Sequence, residues 1–191
     1  MKMFLTDVDG TLTDGCYYSP SIQEIDIKSA EGRHVTHGLM MPPEFYLRKF
    51  NTSDFVGIKM LHDAGIMCAA ITGSYQASMP QFDRAAPFMQ VFAGVQDKYE
   101  FIKTTYVDRG RYAWDDIGFI GDEINDCRLL QSVGWPACPS DAVIQVRNIV
   151  ENHQEGYITK ARGGEKCVRE FTDFIRQALG INASWCNWEE K

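Results

Sequence analysis

Apolar residues fall along this chain in short unbroken runs, each closed by aspartate, threonine or glycine, and between the runs they return at helical spacing. A short continuous run with a turn signal behind it reads as a strand covered on both faces. Such runs begin at Phe4, cover residues 66–71 and 91–93, and recur at 117–120 and 135–138, with an edge strand expected at 157–159. Helical periodicity predicts helices over residues 54–65, with Ser53 or Asp54 as N-cap and Ala64-Gly65 as the stop, and over 97–107, 128–133, 141–149 and 165–179. A further helix is expected over 76–86, with Pro80 unsettling its start, and residues 185–191 carry no assignment. Two extended pieces, residues 16–18 and 45–50, read as the arms of a β-hairpin. The polar link between them, 29–43, carries Arg33, His34 and His37, and loops of that length are functional or disordered. Strands alternating with helices over short links imply right-handed crossovers and one doubly wound parallel sheet, an α/β fold in a single domain.

Three of the predicted strands end in polar clusters: Asp7 with Asp9, Thr72 with Gly73, and Asp122 with Asp126. In a doubly wound sheet the ligand crevice lies beyond the carboxyl ends of the strands, so these clusters share one location. Asp7 and Asp9 can converge where the first strand ends and the chain curls. Two carboxylates that close need a cation between them, or one must keep its proton. A hard divalent ion such as Mg2+ is the simplest remedy, and it would free one carboxylate to act as nucleophile and the other as proton donor and acceptor. A solvated Asp-Gly turn after an N-terminal strand would look the same in these residues alone.

DVDGT at residues 7–11, Thr72 closing AAITG, Lys98 in GVQDK and GDEIND at 121–126 stand in the order of the four motifs of the haloacid dehalogenase (HAD) superfamily, which the chain resembles over most of its length. DVDGTLTDG further resembles its sugar-acid phosphatases, which act on 3-deoxy-octulosonate 8-phosphate or nonulosonate 9-phosphates. The resemblance implies Asp7 as the nucleophile and Asp9 as the general acid and base. Thr72 would bond a phosphoryl oxygen and Lys98 would neutralise charge on the phosphoryl group and Asp7. Mg2+ would be held by Asp7, the Asp9 carbonyl and Asp122, with Asp126 supporting the metal from behind or holding Lys98.

For substrate binding the resemblance points to Gly73, Ser74 and Arg84, although serine at 74 matches neither the arginine nor the glutamate usual in relatives. The family segment K-x-F-N-x-R-D-G-x-G corresponds to residues 49–57, with Lys49, Phe50, Asn51, Asp54 and Gly57 taken as matches. Ser53 and Phe55 replace its arginine and glycine. Arg162-Gly163-Gly164 resembles the glycine-rich segment before the last helix. The motif spacing leaves no room for a cap domain, and family behaviour then implies a homotetramer in which a neighbour's flap covers the site. The rivals are a HAD phosphatase for another small phosphate ester and, from another class, a catalytically idle HAD module serving assembly in sialate or nonulosonate biosynthesis.

Composition narrows the setting. The chain has 191 residues, enough for one domain with a full core. A net charge of −7 argues against general nucleic-acid binding, and no apolar run approaches membrane-spanning length. Six scattered cysteines without a CxxC pair, and no secretory leader, lead us to expect free thiols and a cytoplasmic location.

Overall fold

The computed structural model describes residues 1–16, 48–74 and 86–182. Residues 17–18 of the first hairpin arm, 45–47 of the second, the 29–43 link, most of the helix expected at 76–86, Arg84 and the C-terminal tail lie outside these residues.

Six strands form one parallel sheet: β1 (Met3–Thr6), β2 (Met67–Ile71), β3 (Gln90–Phe92), β4 (Ile117–Ile120), β5 (Trp135–Cys138) and β6 (Tyr157–Ile158). Their order across the sheet is β3-β2-β1-β4-β5-β6, and every neighbouring pair is parallel. The chain therefore builds outward from β1 in one direction, returns, and builds outward from β4 in the other. The reversal between β1 and β4 opens a crevice at the carboxyl ends of those two strands, which run directly into Asp7 and Gly121-Asp122.

Strand side chains alternate between two apolar layers, as a pleated backbone requires. Phe4, Cys68, Ala70 and Ile120 pack on one face with Ile58 and Leu61 of α1 (Thr52–Asp63) and Val168, Phe171 and Ile175 of a C-terminal helix, Cys167–Ala178. Met3, Leu5, Ala69, Ile71, Ile117 and Phe119 point the other way. They meet Ile102 of α2 (Lys98–Ile102), Leu129 and Leu130 of α3 (Cys127–Leu130) and Val146 and Val150 of α4 (Ile144–Glu151); the C-terminal helix is then α5. No helix among the described residues is long and apolar enough to cross a membrane, and the five described cysteines are free thiols.

Several element ends differ from the sequence expectation for local reasons. The helix expected at 97–107 divides into α2 and a wider turn, Lys103–Val107, closed where Asp108 N donates to the Lys103 carbonyl at 2.8 Å. The helix expected at 141–149 begins only at Ile144, because the Asp141 side chain accepts from Gly163 N and pairs with Arg162 Nε, both at 3.0 Å. Phe50, at the end of the expected second hairpin arm, makes one antiparallel bridge, and its partner is Thr13, which lies before the expected first arm.

The N-cap of α1 is neither Ser53 nor Asp54. Asn51 fills that position, its side chain accepting from Ser53 N at 3.0 Å. Asp54 is instead fully buried and turns toward the start of α5, where its Oδ1 accepts from Arg169 N at 2.7 Å. Its Oδ2 has no hydrogen-bond partner among the described residues, and burial pushes this carboxyl from 3.8 up to about 6. A folded-state pKa above the unfolded value means that the folded protein holds the proton more tightly. Stability from this group is therefore full below about 4 and falls as pH rises through about 6, by at most about 3 kcal/mol. Asp54→Asn keeps an oxygen for Arg169 N without the charge. Urea midpoints should show the variant gaining on wild type between pH 4.5 and pH 7.5; a wild-type-to-variant difference that is the same at both pH values would refute this assignment.

Candidate active site

Asp7 is the first residue past β1, and its amide continues the ladder by donating to the Ile120 carbonyl at 2.9 Å. The chain then curls through Val8–Leu12, and Thr13 closes the turn with its amide at 2.8 Å and its hydroxyl at 3.1 Å, both on the Val8 carbonyl. Gly10 makes the curl possible twice over. Its φ of +94° lies in the left-handed region, and a Cβ there would fall on the Asp122 carboxylate. From outside, Gly164 N donates to the Thr11 carbonyl at 2.8 Å, and Gly163 lies so close to the Gly10 carbonyl that no side chain could intervene. The glycine pair before α5 is thus a clamp on this turn.

On one side of this turn the sheet brings four charged residues together. Lys98, first residue of α2 and 1% exposed, donates from Nζ to Asp7 Oδ1 at 2.6 Å and to Asp126 Oδ1 at 2.5 Å. Its direction follows from Asp97, which caps α2 by accepting from Glu100 N at 2.9 Å. The second oxygen of Asp126 accepts from the amides of Asp122 and Glu123 at 3.1 and 3.2 Å. Asp122 accepts from the Thr11 hydroxyl at 2.7 Å. Carboxylate oxygens of Asp7, Asp122 and Asp126 all lie within 4.8 Å of one another.

Three carboxylates share a single buried ammonium, and the titration tendencies reflect that shortage. Burial raises the Asp7 carboxyl well above the ordinary range, against the pull of Lys98 and with the help of Asp126 and Asp122. Burial likewise lifts Asp122 to about 6. Burial works against the Lys98 charge too, but Asp7 and Asp126 outweigh it and hold its pKa above the lysine norm. Three carboxylates this close, with donor chemistry that is all hard oxygen, fit a divalent cation. Asp126 has both oxygens engaged, one by Lys98 and the other by the two backbone amides.

Across the turn, Asp9 faces a different set. Arg48 engages it side-on, with Nε 2.8 Å from Oδ1 and one terminal nitrogen 3.2 Å from Oδ2. The Thr72 hydroxyl makes a long contact of 3.5 Å with Oδ2, and its oxygen accepts from Ser74 N at 3.0 Å. Ser74 Oγ also meets Arg48, at 3.2 Å. The Gly73 carbonyl accepts from Gln96 at 2.8 Å and so turns toward the β3–α2 loop.

Asp7, Asp9, Thr72, Gly73, Ser74, Lys98, Asp122 and Asp126 thus lie around one crevice, with Arg84 outside the described residues. Arg48 is the residue that the sequence reading passed over. In K-x-F-N the lysine stands two positions before phenylalanine, so counting back from Phe50 reaches Arg48, and the match to Lys49 was one residue out of register. Phe55, unexpected in that segment, packs on Phe50 with ring centroids 5.7 Å apart.

No protein-family model matches the sequence. Individual proteins do. The 3-deoxy-D-manno-octulosonate 8-phosphate phosphatase of Haemophilus influenzae is 27% identical over 184 residues, 94% of this chain and 85% of that one. The crystal structure of an enzyme of the same name from Moraxella catarrhalis, in complex with a magnesium ion, a phosphate ion and a KDO molecule, matches at TM-score 0.70 and 25% identity over 93% of this chain and 87% of that one. A Legionella pneumophila structure assigned to subfamily III A of the HAD hydrolases matches at TM-score 0.69 and 27% identity, over 94% and 84% of the two chains.

Proposed function

We propose that this chain, which belongs to the HAD-superfamily phosphatases, hydrolyses a phosphorylated 2-keto-3-deoxy sugar acid of the octulosonate 8-phosphate or nonulosonate 9-phosphate type. The observation that carries the catalytic part is Lys98, held between Asp7 and Asp126 at the sheet's reversal point. The substrate class is supported by the relatives named above, which match nearly the whole chain.

In this reading an Asp7 carboxylate oxygen attacks phosphorus, the bond from phosphorus to the sugar oxygen breaks, and Asp9 gives that oxygen its proton. Water then attacks the phosphorus of the aspartyl-phosphate and surrenders a proton to Asp9. The bond to Asp7 breaks, inorganic phosphate leaves, and both carboxylates return to their starting state. Lys98 offsets charge that gathers on the phosphoryl oxygens, and the Thr72 hydroxyl donates to one of them. Asp7, the Asp9 carbonyl and Asp122 would hold Mg2+. Bound there, the ion supplies the positive charge that three crowded carboxylates and an incoming phosphate require.

A single catalytic domain without a cap belongs to the same proposal: between β3 and β4 the described chain contains only α2 and short turns. Homotetramer assembly, in which the flap and link at about 16–50 would cover a neighbour's site, is likewise proposed and is open to light scattering.

Eight- and nine-carbon keto acid phosphates, assayed with Mg2+, test the reading. One of them should exceed p-nitrophenyl phosphate in kcat/KM by about a hundredfold, since binding energy from the sugar acid is available only to the natural class. Chelation should stop turnover and Mg2+ should restore it. Equal kcat/KM for all the esters would remove the sugar-acid assignment, and full activity after thorough chelation would remove the metal.

A further inference from the structure

Asp9 must present one carboxylate to two different partners, the leaving sugar oxygen and then the attacking water. Its backbone is fixed by the turn at Gly10, but its side chain is 40% exposed and free to rotate unless something holds it. Among the described residues only two groups do so, the Thr72 hydroxyl through its long contact and Arg48. Arg48 is the stronger of the two. Its guanidinium makes two bonds to the carboxylate in the fork geometry that fixes a carboxylate's plane as well as its position. The same terminal nitrogen is tied to Ser74 Oγ, and Ser74 is tied to Thr72 through its amide. With only 11% of its side chain exposed, Arg48 is itself held in place. Two-point contact uses one acceptor site on each Asp9 oxygen; the second site on Oδ1 is left for a proton, and that on Oδ2 faces the Thr72 hydroxyl.

We infer that Arg48 is a positioning residue, whose guanidinium sets the direction in which Asp9 presents its carboxylate to the leaving group and to water. This rests on the aspartyl-phosphate reading above. Its consequence falls most visibly on the second half of the reaction when the leaving group needs no proton. p-Nitrophenolate leaves readily without one, so attack by Asp7 should proceed with a poorly aimed Asp9. Hydrolysis of the aspartyl-phosphate has no such escape, because a proton must pass from the water to Asp9 as the new P–O bond forms and the bond to Asp7 breaks.

The test uses the full chain with Mg2+ and p-nitrophenyl phosphate, comparing wild type, Arg48→Met and Arg48→Lys, with Asp7→Asn as control. Arg48→Met should lower kcat about thirtyfold and KM by a similar factor, leaving kcat/KM for p-nitrophenyl phosphate within about threefold, because formation of the phospho-enzyme is spared and only its hydrolysis is slowed. Acid-quenched protein should then carry phosphate on most of its molecules, where wild type carries little. Arg48→Lys should recover part of the rate and melt within a few degrees of wild type. A rise in KM alone would mean that Arg48 binds the substrate's own anion. A fall in kcat without accumulated phospho-enzyme, or an unchanged kcat, would also overturn the inference. Failure of the underlying reading looks different: Asp7→Asn would then retain turnover, and the role of Arg48 would go with it.

Discussion

Asp7→Asn should abolish turnover and leave the fold intact. Asparagine has nearly the same shape, so its side-chain oxygen can still accept from Lys98, which now lies 2.6 Å from Asp7 Oδ1. An amide, however, cannot attack phosphorus and form the acyl-phosphate. The expected loss in kcat is at least about a thousandfold, equivalent to roughly 4 kcal/mol of barrier. Thermal stability should not fall, because the substitution removes one of three carboxylates crowded within 4.8 Å. Steady-state kinetics and a melting curve on the same preparation separate the two effects. Turnover within about tenfold of wild type, roughly 1.4 kcal/mol, would mean that Asp7 is not the nucleophile.

Lys98→Met should damage activity and stability together. Methionine fills much of the same volume, so the change isolates the ammonium. That group is 1% exposed, bonds both Asp7 and Asp126, and lies 5.9 Å from the Phe119 ring centroid. Removing one partner from a buried ion cluster leaves the others uncompensated, at a cost of about 3 kcal/mol or more. Catalysis loses the charge that offsets the phosphoryl group, and Asp126 loses the partner that fixes one of its oxygens. A fall in kcat of about a thousandfold is expected, in the range seen when a preorganised charge is removed from a transition state. Urea unfolding within about 1 kcal/mol of wild type, together with kcat within tenfold, would show that Lys98 is a bystander.

The parallel sheet was legible because its strands are short apolar runs with polar endings. Residues 117–120 were read to the residue, and those at 66–71 and 91–93 within one position, since burial on both faces leaves few other readings. Helix ends were less legible because tertiary partners decide them. Asp141 looked like part of a helix but is committed to the loop at Arg162 and Gly163, and Asp54 looked like a cap for its own helix but serves the start of α5. The acidic residues of the site could be found from strand ends and motif order. Which oxygen meets which cation could not, because Lys98 reaches Asp7 across 91 positions of sequence. Arg48 was hidden by a one-residue error of register, and on an extended segment a shift of one reverses the direction of every side chain.

The proposed catalysis turns on a covalent bond between Asp7 and phosphorus. Borohydride reduces acyl-phosphates to alcohols, so protein quenched during turnover and reduced should contain homoserine at position 7, detected by peptide mass spectrometry. The yield should rise in Arg48→Met, where the intermediate builds up, and vanish in Asp7→Asn. Homoserine at another aspartate, or none during active turnover, would contradict the account.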